Sequence, residues 1–294
     1  MTLGPTSGQS SPHGQSSAQY VLGVNAAELD RLGLQHRLWS DAAHALWRRA
    51  GVQPGWKVLD IGCGPGFAAL DLAQIVGASS PGVGRGGVVG MDESQPYLDY
   101  LAAQVRARGI KNISCVRGNA TRLAELSEVG TGSFDAAYSR WVMCFVNDPS
   151  GVARGVHRAL KPGGRWIVQD YFNYEAMATA PRSAAFARAV AATGQSWRAR
   201  GGDPDIMGRL PAMLEQMGFA VEHLNVQQRI ARPGEPMWHW PQTFWTNFLP
   251  VLEEMGLLSA AEVAAWVREW NELARTAGAW VLLPPVIDMV AVKR

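Results

Sequence analysis

The chain is poor in the features that would send it to a membrane, an oxidising compartment or a nucleic acid. No run approaches the roughly 18 consecutive apolar residues of a membrane span. Only three cysteines occur, Cys63, Cys115 and Cys144. None forms a CxxC pair, so neither a metal knuckle nor a disulfide framework is expected. A reduced, cytoplasmic setting is the expectation that follows. Charge of one sign is scarce too: 27 Lys plus Arg stand against 25 Asp plus Glu, a net +2. Phosphate backbones demand a cation excess, so no nucleic-acid partner is expected. The opening MTLGPTSGQSSPHGQSSAQ has no Lys, no Arg and no apolar stretch. It reads as a disordered Gly/Ser/Gln-rich tail over 1–19 rather than a secretory leader.

What is present suffices for a large core, with 47% of the 294 residues hydrophobic. Asn25-Ala-Ala-Glu28 has the form of a capping box. Behind it Leu29, Leu32, Leu38, Trp39, Ala42, Leu46 and Trp47 recur at helical spacing up to Gly51. Short strands are predicted at 57–61, 88–91, 113–116, 134–142 and 165–169, with helices at 67–75, from Pro96 to about 107, and at 152–160. Residues 77–87 read as a loop. Strands at 219–227 and 286–292 complete a set of seven. Strands alternating with helices imply a doubly wound, mostly parallel α/β sheet. Residues 174–210 and 235–278 look helical and aromatic, and are read as insertions capping the open edge. A single domain over 20–294 accommodates all of this.

The sharpest local feature is Val58-Leu-Asp-Ile-Gly-Cys-Gly-Pro-Gly66. Glycines let backbone turn tightly and approach a ligand with no Cβ in the way, and the next helix opens with unpaired N–H groups. Dinucleotides and S-adenosylmethionine are both bound by such loops. The dinucleotide fingerprint G-x-G-x-x-G would require glycine at Phe67; here the third glycine is Gly66. A nicotinamide-dependent oxidoreductase is therefore the lesser alternative, and a non-catalytic S-adenosylmethionine-binding sensor or scaffold a further one.

VLDIGCGPG (58–66), VVGMDES (88–94), RGNA (117–120), FDAAYSRWVMCFVNDP (134–149) and LKPGGRWIVQD (160–170) stand in the order of a known family. Over about 55–170 the sequence resembles a class I S-adenosylmethionine-dependent methyltransferase, of the branch acting on small molecules. The resemblance implies a Rossmann-like methyltransferase fold and S-adenosylmethionine as cofactor. It implies that Gly62, Gly64 and Gly66 pass beneath the methionine part. Asp60 orients that loop or faces the ammonium, and Asp92 takes the ribose hydroxyls. Glu93 touches the adenosine, and Asn119 with Ala120 lies near the adenine amine. The family's usual Asp is Asn119 here, whose carbonyl can still accept. Ser139 and Arg140 lie beside the methionine portion; Tyr20 and Gln35 close over from the N-terminal segment.

Six of the 12 tryptophans fall in the last sixty or so residues: Trp238, Trp240, Trp245, Trp266, Trp270 and Trp280. Met237-Trp-His-Trp240 with Phe244 and Trp245 is either an aromatic core or the wall of a dry acceptor pocket. His239 is a candidate general base. Asp170 and Tyr171, just past the fifth strand, sit where open α/β sheets bind ligands. His36 and His44 read as structural. The expected acceptor is a small organic molecule, bulky or aromatic; the sequence sets neither its identity nor the oligomeric state.

Overall fold

The computed structural model describes residues 26–77 and 86–294. Tyr20, Asn25 and the tail over 1–19 lie outside these residues. The first elements are helix α1 (Ala26–Arg49), strand β1 (Lys57–Ile61), α2 (Phe67–Val76), β2 (Gly87–Asp92), α3 (Gln95–Ala107), β3 (Ile113–Arg117), β4 (Phe134–Arg140), α4 (Pro149–Ala159) and β5 (Leu160–Tyr171). There follow β6 (Ala178–Ala180), α5 (Ala184–Ala199), α6 (Leu210–Gln216), β7 (Phe219–Gln227), β8 (Ile230–Ala231), α7 (His239–Glu254), α8 (Ala260–Leu273), β9 (Trp280–Leu282) and β10 (Val286–Lys293).

Seven strands form the main sheet in the order β3-β2-β1-β4-β5-β10-β7. The first five run parallel, and β10 is antiparallel to both β5 and β7. Successive crossovers run outward from β1 through β2 to β3, then return to β4 on its other side. The order therefore reverses between β1 and β4, and open sheets hold ligands at such a switch, outside the carboxyl ends of the strands. Strand periodicity of two divides the core. Val58, Ala136, Tyr138, Ile167 and Val290 face α1, α2 and α3. Leu59, Ile61, Ala137, Trp166, Val168 and Met289 face the opposite layer, with α4 and α6.

Local signals set several boundaries. Asp148 caps α4 by accepting from the Gly151 N–H at 2.8 Å, with Pro149 in the first turn, a position that tolerates proline because its missing N–H would be unpaired there anyway. Ser259 and Glu262 form a capping box at α8. Lys161-Pro-Gly-Gly164 lies within the β4–β5 pairing: Leu160 already sits opposite Phe134, and the register slips so that Arg165 meets Ala136.

The cap is not helical alone. β6, β9 and β8 form a second, three-stranded antiparallel sheet, which the sequence reading missed. Strands of two or three residues are too short to display an alternation. The helices α5, α7 and α8 pack by aromatic rings: Trp238 stacks on Trp270 at 4.3 Å between centroids, and Trp270 on Trp266 at 5.0 Å. Helix α1 joins the two parts. Its Leu46 and Trp47 lie on the sheet, while Trp39 meets Trp240 of α7 edge-on at 5.1 Å. No helix among the described residues is long and apolar enough to cross a membrane.

Candidate functional site

The turn from β1 into α2 holds Gly62, Gly64 and Gly66 at φ of 63°, 53° and 82°, a region side chains rarely enter. A Cβ on Gly62 would strike Val142 at 2.6 Å and one on Gly66 would strike Leu101 at 2.3 Å, so these two are demanded by packing. A Cβ on Gly64 would meet nothing within 4 Å. Here the loop presents bare backbone to open space.

Asp92, at the end of β2, fastens that loop. Its Oδ2 accepts from the Gly64 N–H and its Oδ1 from the Ser94 N–H, both at 2.8 Å. Each carboxylate oxygen keeps a lone pair for a further donor. Burial pushes this carboxyl above the ordinary range, and the backbone N–H groups pull it back. Glu93 beside it is exposed and hydrogen-bonds Asn119. Asn119 differs from expectation: its Oδ1 already accepts from the Thr121 N–H at 2.7 Å and hydroxyl at 2.5 Å. It caps the short turn that begins at Ala120, leaving the amide NH₂ rather than the carbonyl as its outward group.

On the other side of the glycine turn, Asp60 is 2% exposed. Its Oδ2 and the Nη1 of Arg140 are both buried and lack a hydrogen-bond partner among the described residues. Arg140 lies close enough for its charge to lower the Asp60 pKa, yet burial dominates and pushes that carboxyl up to about 7. The other guanidinium nitrogen, Nη2, donates to His36 Nδ1 at 3.0 Å. His36 Nε2 in turn meets Asp71 Oδ2 at 3.1 Å, and His44 Nε2 reaches the same oxygen at 2.8 Å. Sequence reasoning named Asp60 and Arg140 but missed the link through His36 to Asp71. The available signal was Asp71, the only charge in a mostly apolar α2.

Ser139 is fully buried and accepts from the Trp166 indole at 3.1 Å. It packs the sheet's other face instead of a ligand.

Residues 59–168 match the methyltransferase domain family. Over these residues the chain is similar to the class I S-adenosylmethionine-dependent methyltransferases. It is 35% identical over 129 residues to the demethylmenaquinone methyltransferase of Lactococcus lactis subsp. lactis, covering 42% of this chain and 47% of that one. It is 37% identical over 125 residues to the arsenite methyltransferase of Aquipseudomonas alcaligenes, covering 40% of this chain and 33% of that one. The chain thus spans about half or less of the curated relatives it matches. Among solved structures, a candidate methyltransferase from Bacillus halodurans C-125 superposes with a TM-score of 0.56 at 17% identity, over 85% of this chain and 97% of that one; such a likeness bears on the fold alone.

A second feature adjoins the loop. Trp141, straight after β4, has φ of 52°. That conformation costs a bulky residue of order 1–3 kcal/mol, so the surroundings must impose it. The Trp141 N–H donates to the Gln169 carbonyl at 2.9 Å. The next three N–H groups, of Val142, Met143 and Cys144, all donate to Asp170 Oδ2 at 3.1, 2.8 and 3.3 Å. The Tyr171 N–H holds Oδ1 at 2.8 Å. Asp170 is fully buried, and burial raises it to about 6 against these donors. It is the anchor of a strained turn, not an accessible base.

That turn hangs the Trp141 ring between the loop and the cap. The ring lies beside the Arg140 guanidinium at 5.0 Å, stacks on Tyr171 at 6.1 Å and on Trp240 at 5.8 Å. Beyond it lies a narrow apolar cleft, walled chiefly by Tyr171, Tyr174, Met177, Trp240, Phe244 and Trp245. Gln35 stands at its polar end, its Oε1 accepting from Trp240 Nε1 at 2.8 Å and Arg31 Nη1 at 3.0 Å. Gln35 therefore ties α1 to α7 beside the cleft, away from the glycine turn. Tyr171 does line the cleft. His239 does not: it opens α7 with an exposed side chain, because Trp240 takes the inward position next to it. Both readings of the aromatic segment hold for part of it, Trp245 filling core and wall at once.

Proposed function

We propose that this protein transfers the methyl group of S-adenosylmethionine to a small organic acceptor held in the aromatic cleft. The observation that carries the reading is the pair of orphaned buried atoms, Asp60 Oδ2 and Arg140 Nη1, beside a glycine turn in which Gly64, alone of the three, has an open face. Unpaired buried charge is costly. The α-amino acid end of the cofactor supplies the complements, an ammonium for Asp60 and a carboxylate for Arg140. Asp92 keeps acceptor capacity for a ribose diol, and the Asn119 amide can meet an adenine ring nitrogen. When bound, the cofactor supplies an electrophilic methyl on a sulfonium.

The chain's own part is positioning, which in well-oriented pairs is worth roughly 7–11 kcal/mol. The Trp141 ring adjoins both the loop and the cleft, and the apolar cleft excludes water. Tyr171 and Tyr174 are pushed above the ordinary phenol range by burial, so both hydroxyls keep their protons and act as donors. No general base faces the cleft among the described residues. The reading therefore favours an acceptor that arrives nucleophilic, such as an amine, a thiolate or an acidic phenol.

The test is calorimetry with S-adenosylhomocysteine followed by turnover of S-adenosylmethionine against amine, thiol, phenol and aliphatic alcohol panels. Tight binding with homocysteine-nucleoside release on the first three is expected. No heat from a folded sample would overturn the cofactor reading; binding without turnover on any acceptor would favour a sensor.

A further inference from the structure

We infer that His36 is a positioning residue: it sets the place of the Arg140 guanidinium at the glycine turn, and through it the hold on the carboxylate end of the cofactor. The inference rests on the function proposed above. An arginine has no acceptor, so in the Arg140 Nη2 to His36 Nδ1 contact at 3.0 Å the imidazole nitrogen must carry the lone pair. That fixes the proton on Nε2, which donates to Asp71 Oδ2 at 3.1 Å. The Phe67 ring stacks on the imidazole at 5.9 Å and holds its plane. His36 is thus a one-tautomer bridge from a carboxylate on α2 to a guanidinium on β4. With Nη2 tied back, Nη1 is left as the unpartnered nitrogen.

The bridge works only while the imidazole is neutral. A second proton would set an N–H against the Arg140 N–H and one cation against another. Three groups face it: Asp71 from α2 favours protonation, while Arg140 from β4 and His44 from α1 oppose it; Asp60 from β1 acts through Arg140. Burial adds to the opposition, so the net direction is downward from the ordinary imidazole value. Protonation then falls in mildly acidic solution, and there the guanidinium is released.

The experiment measures dissociation constants of S-adenosylhomocysteine and of methylthioadenosine, which lacks the amino acid end, from pH 5.5 to 8.5. Wild type, His36→Gln and His36→Leu are compared. Glutamine can accept from Arg140 and donate to Asp71 without titrating. We expect His36→Gln to match wild type within about twofold at pH 8, and to bind S-adenosylhomocysteine more tightly than wild type as the pH falls toward 5.5. His36→Leu should bind it about 10-fold more weakly at pH 8. Methylthioadenosine should not distinguish the three, which also shows that each variant is folded. Asp60 titrates in all three proteins, so the wild type to His36→Gln difference isolates the imidazole. Identical S-adenosylhomocysteine profiles for wild type and His36→Gln would overturn the role of His36 with the cofactor reading intact. Failure of both nucleosides to bind folded wild type would overturn the reading itself, and this inference with it.

Discussion

The floor of the site and its roof are built on opposite principles. The floor, from β1, β4, α1 and α2, is a row of buried and half-buried polar groups, Asp60, Arg140, His36 and Asp71, with two atoms left unpaired among the described residues. The roof, from α5, α7 and α8, is ring on ring, with the indole nitrogens of Trp245, Trp266 and Trp270 buried without partners. Floor residues are arranged at a cost in stability for the sake of a charged ligand. Roof residues gain stability from burial and define shape. Substitutions should therefore separate: roof variants destabilise the fold with little change in cofactor binding, and floor variants weaken cofactor binding without comparable destabilisation.

The largest effect should come from Trp245→Ala. Its ring is fully buried, and truncating a buried aromatic costs about 3–5 kcal/mol. Thermal melting should fall by about 6 °C or more, while S-adenosylhomocysteine affinity changes less than threefold in the folded fraction. A collapse of cofactor binding with unchanged melting would break the comparison.

Next is Asp60→Asn, which should stabilise the free protein in a pH-dependent way. The folded carboxyl gives up its proton near pH 7 and the unfolded one near the ordinary 3.8. Its favourable contribution is thus complete below about pH 4 and lost as pH rises through about 7. Asn carries no such charge, so the variant's advantage should be nil at pH 4 and grow to at most about 4 kcal/mol above pH 7. Melting curves at both pH values check this, and cofactor affinity should fall in the same variant.

Arg140→Met should weaken S-adenosylhomocysteine binding about 10- to 100-fold, the worth of a hydrogen bond to a charged group. Melting should change less than in Trp245→Ala, since the loss is the one side-chain hydrogen bond from Nη2 to His36 and Met keeps the stem. The smallest effect is expected at His239→Ala: turnover within twofold of wild type on any accepted substrate, because the side chain is in solvent. A loss of more than tenfold would put a base back at the roof.

The floor was legible in the chain because its determinants are local. Three glycines with forced φ lie within five residues, an acidic residue ends β2, and β4 follows at family spacing. Even so, Ser139 and Arg140 are neighbours with opposite fates. Strand alternation sends Ser139 to the Trp166 face and Arg140 to the α1 face, and sequence reasoning kept both. The roof was less legible. Helical spacing gave α7 and α8, but not which side of His239-Trp240 points inward. Nor did it give the small sheet of β6, β8 and β9, whose strands come from segments about fifty residues apart.

By itself the sequence determined the doubly wound sheet, the glycine turn and its acidic companion Asp92, since periodicity and backbone conformation are properties of short stretches. The tertiary structure alone decided that Asp170 grips the Trp141 turn, that His36 joins Asp71 to Arg140, and that Gln35 belongs to the cleft. Those roles depend on hydrogen bonds between residues 27 to 205 positions apart. No local pattern encodes a partner at such range; the pairing of β4 with β5 brings Asp170 to the Trp141 turn, and the packing of α1 across both the sheet and the cap places His36 and Gln35.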